Sequence, residues 1–210
     1  MRVLPLPNKT SSGDIQKALA RYTMESLQRH RNIYDKESNT PSTLFSKMYQ
    51  AEDDDTLTPK EMLHNAQAYI VAGSDTTANT MTYLVWAVCK HPDIRKRLVS
   101  ELKKLPVDFG FDQLKTLPYL NQVIQETLRM YGAAPAQLRR EVPAGGVKIG
   151  GHWLPGGATA GTQAYTLHRN PAVFTDPLSF NPSRWENPTQ AMQSSLMPFG
   201  GGSRSKPRNT

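Results

Sequence analysis

Cysteine and long apolar segments are what this sequence has least of. Its 210 residues include one cysteine, Cys89, which excludes an internal disulfide framework and a zinc site built from several cysteines. Its apolar runs fall far short of the roughly 20 residues that a membrane-spanning helix needs. Residues 1–8 contain no apolar segment of the signal-peptide kind, so no targeting or membrane-spanning segment is expected from this sequence.

Basic residues are in excess but are not clustered. The chain has 25 Lys and Arg against 18 Asp and Glu, a net charge of +7. They are spread over predicted helix faces without interleaved aromatic residues, so nucleic acid is not the expected partner. An acidic protein partner explains the charge equally well. The acidic run Glu52–Asp55 has no second ligand cluster at calcium-loop spacing, and we predict a solvated connector there rather than a metal site.

The stretch Leu57–His91 predicts a long helix around which the chain is organised. It opens with the sequence TPKE at Thr58–Glu61, a capping box with proline at the first helical position. Apolar residues then recur every three or four positions, and Pro92 ends the pattern. We therefore expect a single helix over Thr58–Lys90, a rod of about 45 Å.

The centre of this helix is unusually polar for its surroundings. Residues 68–73 are apolar nearly all round, which predicts a buried segment, yet Ser74, Asp75, Thr76 and Thr77 follow at once. Buried carboxylates and hydroxyls need partners or a function. Gly73 leaves room for a small or flat group beside the backbone. A polar kink whose side chains bond the helix's own carbonyls is an equally good explanation at this point.

A later helix, Pro118–Tyr131, carries a pair of opposite charges before the helix stop at Gly132. Glu126 and Arg129 are three residues apart and therefore adjacent on one side of the helix. A Glu-x-x-Arg pair has little weight alone, because charged residues make up about a quarter of ordinary sequence. A surface ion pair is the alternative interpretation.

The remaining pattern predicts a mainly α chain with a small β portion. Helices are expected at residues 14–30 and 92–105, and a hairpin at Val147–Leu154 with Gly150-Gly151 at its turn. A further strand is expected near residues 158–164, followed by loops. We predict one partial domain over residues 1–210, with a helical body at 13–131 and a small sheet and meander at 132–210.

Four short motifs follow one another along the chain, and their order is informative. They are AGSDTT at Ala72–Thr77, ETLR at Glu126–Arg129, FNPSRW at Phe180–Trp185 and FGGGSR at Phe199–Arg204. As a set they resemble the cytochrome P-450 family of heme-thiolate monooxygenases. The resemblance runs from near residue 14 to residue 205 and looks like the C-terminal half of the family fold, truncated at the heme-ligand loop.

The resemblance implies a heme cofactor and roles for the residues around it. The long helix would cross the distal face of the heme, with Gly73 leaving room for dioxygen and with Asp75 and Thr76 as the catalytic residues that handle protons. The residues implied in cofactor binding are Gly73, Arg140, Phe199 and Arg204, the two arginines pairing with the heme propionates.

The resemblance also implies a structural charge cluster. Glu126, Arg129 and Arg184 would meet in the core and hold the proximal side together, because an unpaired member would be a stranded buried charge. His168 stands in a His-Arg-Asn stretch typical of the family. For it we expect a surface or helix-capping role rather than a catalytic one.

One departure from the family pattern concerns the iron ligand. The family has cysteine at the position of Lys206, and a protonated amine supplies no thiolate donor. Cys89 lies more than three helical turns beyond Thr76 and cannot replace it. No metal-ligating residue is therefore predicted. The chain is either a monooxygenase with an incompletely represented catalytic apparatus, or a non-catalytic truncated remnant or binding partner of a full-length relative.

Substrate and partner follow from the resemblance only in outline. Gln67, Ile70, Val71 and the loop 133–138 would line a mostly apolar pocket, which implies a lipophilic small molecule. A reductase that uses NADPH is the implied electron donor. The motifs are typical of fungal enzymes of secondary metabolism. Family members are usually anchored in the endoplasmic reticulum membrane by an N-terminal helix that is not found in this sequence.

Overall fold

The computed structural model describes residues 12–34, 43–54 and 56–201. The chain folds as two compact units, residues 1–75 and residues 76–210. The helices are α1 (Ser12–Tyr34), α2 (Leu44–Asp53), α3 (Pro59–Lys90), α4 (Pro92–Leu102), α5 (Phe111–Lys115), α6 (Pro118–Tyr131), α7 (Ala164–Leu167) and α8 (Gln190–Ser195), with a 3-10 helix at Pro182–Trp185. The strands are β1 (Gln137–Glu141), β2 (Val147–Ile149), β3 (His152–Leu154) and β4 (Thr159–Gln163).

The first unit packs α1 and α2 against the beginning of α3. Its buried apolar residues are Leu27, Met48, Tyr49 and Ala66. The Tyr49 hydroxyl donates to the carbonyl of Leu27 at 2.6 Å, which satisfies the polar end of a buried ring. None of the helices that the structure describes combines the length and apolarity needed to cross a membrane.

The long helix α3 is continuous over Pro59–Lys90, as the sequence predicts. Its capping box is reciprocal: the backbone N–H of Thr58 donates to Glu61 Oε2 at 2.9 Å, and the N–H of Glu61 donates to Thr58 Oγ1 at 3.3 Å. Two free N–H groups at the start of the helix are thereby satisfied.

The predicted burial of the centre of α3 is wrong for the described structure. Ala68, Tyr69 and residues 71–79 are exposed, and Asp75 and Thr76 lie among them rather than facing a cavity. The reason is that helical periodicity identifies apolar residues but not what covers them. The described residues leave this part of the helix uncovered.

The second unit is built on α4, α6 and the end of α3. Its core contains Ala87, Leu98, Tyr119, Val123 and Phe180. α6 has its predicted bounds, whereas α4 ends at Leu102 rather than at residue 105. The residue that precedes α6, Leu117, provides no side-chain cap for the first turn of the helix. Glu101 provides this cap instead, by accepting the N–H groups of Tyr119 and Leu120 at 2.8 and 2.9 Å.

Two small antiparallel pairs follow the helical part. β2 and β3 form the predicted hairpin, with Gly150 and Gly151 at φ of 58° and 85°, values that favour glycine. β4 pairs with β1 in the register Gln137↔Gln163 to Glu141↔Thr159. The strand β1 was not predicted, because its sequence QLRRE is polar and mostly exposed and gives no apolar alternation. The assignment of residues 1–210 to one domain stays a prediction.

Replacing Thr58 by alanine should loosen the first turn of α3. The change removes the hydroxyl that accepts the N–H of Glu61, and loss of such a cap costs about 1 kcal/mol. Hydrogen exchange at the Glu61 amide should accelerate by about fivefold, the factor that such a free energy represents. The control is Thr82→Ala, where the hydroxyl bonds the carbonyl of Ala78 within the helix. Unchanged exchange at Glu61 in Thr58→Ala would contradict the cap.

Candidate functional site

The most complete polar site in the described structure surrounds the carboxylate of Glu126, which is fully buried. Oε1 accepts from Arg129 Nη2 at 2.8 Å, Arg184 Nε at 3.0 Å and the backbone N–H of Asn181 at 2.9 Å. Oε2 accepts from Arg129 Nε at 2.8 Å and from the indole N–H of Trp185 at 2.9 Å. Five N–H donors and two guanidinium charges therefore meet one carboxylate, which offsets the cost of burying it.

Arg129 is as buried as its partner, at 1% exposure. Besides its two bonds to Glu126, Nη1 donates to the carbonyls of His168 and Pro177 at 2.7 Å each, and Nη2 donates to that of Ser179 at 3.1 Å. Each polar hydrogen of the guanidinium can thus be assigned a bond. An arginine held this way fixes the position of three loop carbonyls.

Arg184 reaches the cluster from the 3-10 helix at Pro182–Trp185, 58 positions beyond Glu126. The Asn181 side chain accepts the N–H of Ser183 at 3.1 Å and so starts this short helix. The structure brings Glu126, Arg129 and Arg184 together as the sequence analysis expected, and a surface ion pair is the wrong interpretation. Sequence reasoning missed Trp185 and the Asn181 backbone, although both lie in the FNPSRW motif.

His168 is buried at 3% exposure, so of the two expected roles the surface one is wrong. The helix-capping role agrees with the structure, because the His168 ring bonds a carbonyl in the last turn of α6. Its Nε2 accepts the backbone N–H of Met197 at 2.9 Å, which places the proton on Nδ1, 3.0 Å from the carbonyl of Arg129. Burial lowers the pKa of His168 to about 4, so the ring is neutral near pH 7. His168 therefore connects α6 to the segment that leads into the glycine loop.

The residues with predicted catalytic and cofactor roles are open to solvent. Asp75 and Thr76 are exposed on α3, and a Cβ added at Gly73 would meet no atom within 4 Å. Arg140 is exposed on β1, and Phe199 is 72% exposed. Arg204 and Lys206 lie outside the described residues. The catalytic and cofactor roles of these residues stay predictions.

The donor set of the chain does not fit a thiolate-ligated heme. Gly73 leaves open space beside α3, which suits a flat group. The expected ligand position is Lys206, however, and Cys89 is exposed near the end of α3. We therefore assign no reaction step through heme to this chain.

The long helix α3 and the buried Glu–Arg–Arg cluster, with Arg184 on its 3-10 helix, are the structural features that the resemblance to the cytochrome P-450 family implies. The sequence profile of the family described as Cytochrome P-450 matches residues 1–205. The chain belongs to the cytochrome P-450 family, which is a family of heme-containing monooxygenases.

Curated relatives agree with this assignment. The chain is 46% identical to the cytochrome P-450 monooxygenase orf2 of Aspergillus niger, over 89% of this chain and 38% of that protein. It is 43% identical to the monooxygenase azaI of Aspergillus niger, over 89% and 44%, and 44% identical to tazI of Aspergillus terreus, over 96% and 42%. The chain thus spans about two fifths of the length of these relatives.

Replacing Glu126 by glutamine should destabilise the second unit strongly. The change leaves the charges of Arg129 and Arg184 buried without their carboxylate, and breaking a buried pair in this way costs about 3–5 kcal/mol. Denaturant unfolding followed by tryptophan fluorescence measures the loss. The control is Glu25→Gln, in an exposed pair 3.9 Å from Arg21, which should change stability by less than about 0.5 kcal/mol. Equal effects of the two changes would contradict the cluster's role.

The free energy of unfolding should depend on pH through the protonation of His168. Its folded pKa of about 4 lies below its ordinary value of 6.5, so the neutral ring stabilises the fold fully above pH 6.5. That contribution, on the order of 3 kcal/mol, is lost as pH falls from 6.5 towards 4. His168→Gln should flatten this part of the stability curve, whereas the exposed His152→Gln should not. Identical curves for the parent and His168→Gln would refute the assignment.

Proposed function

We propose that this chain is the C-terminal part of a cytochrome P-450 monooxygenase that inserts oxygen into a lipophilic small molecule in fungal secondary metabolism. The single observation that carries the proposal is the Glu126 cluster, where Arg184 bonds a carboxylate 58 positions earlier in the chain. Local sequence preference does not produce such a contact. The family match over residues 1–205 supports the same conclusion.

In the whole protein, the long helix would supply the distal wall of the heme pocket. Gly73 would give the space beside the cofactor, and the Asp75 carboxylate and Thr76 hydroxyl would hold protons near it. Arg140 and Arg204 would meet the propionates, with Phe199 at the start of the loop. The exposure of Gly73, Asp75, Thr76 and Arg140 leaves all four accessible for these roles.

The 210-residue chain is proposed not to catalyse oxygen insertion itself. Heme-thiolate chemistry depends on a cysteine thiolate that donates electron density to iron. Lys206 occupies that position, and its ammonium group has no lone pair to donate in its ordinary protonation state. The second candidate function, a non-catalytic product or a binding partner of a full-length relative, is favoured by this same substitution.

Substrate, electron donor and location are further parts of the proposal. Gln67 and Ile70 are half-buried and Val71 is exposed at the apolar turn before Gly73, which suits a lipophilic substrate. A reductase that uses NADPH would supply electrons. An N-terminal anchor in the endoplasmic reticulum membrane would hold the whole protein.

The carbon monoxide difference spectrum of the reduced, heme-reconstituted protein tests the proposal. The unaltered 210-residue chain should give no thiolate-type Soret band, because Lys206 replaces the ligand. A chimera that embeds this chain in the flanking sequences of the Aspergillus niger relative orf2, with Lys206→Cys, should give that band and oxidise lipophilic probes.

The matched control is the same chimera with Lys206 retained, which should show neither property. A thiolate-type band from the unaltered chain would show that the ligand has been misassigned. A folded, heme-bound Lys206→Cys chimera with an ordinary thiolate band but without any oxidation would reject the monooxygenase part of the proposal.

A further inference from the structure

A cavity beside the end of α6 lies wholly in the second unit. Its walls come from α3, from the chain that follows Gly132, and from α7 with the residues after it. Its volume is about 280 Å³, just below the range of about 300–1,000 Å³ for pockets that take drug-sized ligands. The cavity therefore suits a molecule of one ring and is too small for a tetrapyrrole. Of its lining, only loop 133–135 belongs to the pocket that the family resemblance implies for the substrate.

The charge of the cavity lining is positive and is not balanced. Arg129 and Arg169 line the cavity, and none of the other described residues that do so is Asp or Glu. The charge of Arg129 is paired with Glu126, but that single carboxylate is shared with Arg184. Arg169 forms no ion pair with any carboxylate in the described part of the chain. The cavity therefore attracts an anion.

The guanidinium of Arg169 is held in place and still has donors to offer. Nη2 donates to the carbonyl of Met130 at 2.5 Å, and Nη1 donates to that of Tyr165 at 3.3 Å. The guanidinium carbon also lies 3.9 Å from the centre of the Tyr165 ring, a cation–π contact. Within the described structure these bonds use two of its five N–H donors. The others can meet a carboxylate, whose two oxygens match the planar guanidinium.

Aromatic rings form much of the remaining wall. The rings of Tyr83, Tyr131 and Tyr165 all line the cavity. Tyr83 and Tyr131 are stacked, with ring centres 4.9 Å apart and planes 8° apart, and Tyr83 is still 40% exposed. Exposed aromatic surface favours contact with a further ring. Together with the small apolar side chains of loop 133–135, these tyrosines suit a flat aromatic ligand.

We propose that this cavity binds a small aromatic carboxylate. The carboxylate oxygens accept from Arg169, and the ring packs against Tyr83 and loop 133–135. An inorganic anion fits less well because it offers no ring, and a neutral aromatic molecule fits less well because it leaves Arg169 without a carboxylate. The inference concerns binding alone, so it is independent of whether the chain takes part in oxygen chemistry.

A fluorine NMR titration of the 210-residue chain with para-fluorobenzoate tests the site. The matched amide, para-fluorobenzamide, has the same ring without the charge. It should bind at least about tenfold more weakly, because it cannot form charge-assisted hydrogen bonds with Arg169. Fluoroacetate carries the charge without the ring and should bind at least about fivefold more weakly.

Arg169→Gln should weaken para-fluorobenzoate binding by about tenfold and change para-fluorobenzamide binding by less than about twofold. The control is Arg95→Gln, at an exposed arginine outside the cavity with the same change in net charge. It should change para-fluorobenzoate binding by less than about twofold, because exposed charges at a distance are screened. Circular dichroism confirms that each variant keeps the parent fold.

Tyr83→Leu separates the ring contact from the charge. It keeps an apolar side chain and removes the ring, so both para-fluorobenzoate and para-fluorobenzamide should bind about fivefold more weakly. The control is Tyr69→Leu, at a tyrosine of α3 that is 49% exposed and does not line the cavity, which should leave both affinities unchanged.

The backbone amide shifts of Ala133 and Ala134 locate the ligand in the unaltered chain, so the site is tested even if a variant does not fold. Both amides should shift as para-fluorobenzoate binds, and binding that leaves them unmoved would overturn the proposal. Equal affinities for the acid and the amide would remove the carboxylate. Equal losses in Arg169→Gln and Arg95→Gln would show that net charge alone binds the acid. Hemin that binds through Arg169 more tightly than para-fluorobenzoate would assign the cavity to the cofactor instead.

Discussion

The buried carboxylate of Glu126 is the interaction on which the second unit depends. Removing an ion from water costs several kcal/mol, and only a complete set of partners offsets that cost. Those partners come from α6 itself, from the Asn181 backbone and from the 3-10 helix that ends at Trp185. All of these N–H donors are needed to offset the cost of burying the Glu126 charge. The chain around Asn181 and Trp185 has little regular structure, and these bonds hold it in a single conformation.

The same network extends from Glu126 to the glycine loop through Arg129 and His168. Arg129 donates to the carbonyl of His168, and the His168 ring bonds back to the carbonyl of Arg129. The other ring nitrogen of His168 receives the N–H of Met197, two residues before Phe199. Since the imidazole is neutral, it can accept and donate at once. The end of α6 therefore determines the position of the chain at Met197, shortly before Phe199.

Local features of the sequence predict the helices and strands better than they predict which residues become buried. The TPKE box and the apolar repeat give the start and the length of α3, and Gly150-Gly151 give the hairpin, because caps and turns act within a few residues. The exposure of Asp75 and Thr76 and the burial of His168 depend on which chain segments pack nearby. No pattern within the helix or the His-Arg-Asn stretch carries that information.

The contacts of Glu126 and Arg129 also include some that the sequence predicts and others that it does not. That Arg184 would reach Glu126 followed from the order of four motifs and the family they resemble, not from propensity. That Trp185 would also donate to Glu126 could have been proposed, since it follows Arg184 directly and a buried indole N–H needs an acceptor. The three carbonyls bound by Arg129 could not, because backbone acceptors in an irregular loop leave no mark on the sequence.

Family membership and catalytic competence rest on different residues in this chain. The described partners of the Glu126 network end at Met197, before the glycine loop begins, and none of them depends on the side chain at position 206. If position 206 is the iron-ligand position, as the resemblance implies, lysine there would remove the electron donor of the family's chemistry without changing any described partner of Glu126. A fold can therefore be assigned from the buried network, whereas an activity must be argued from the ligand position.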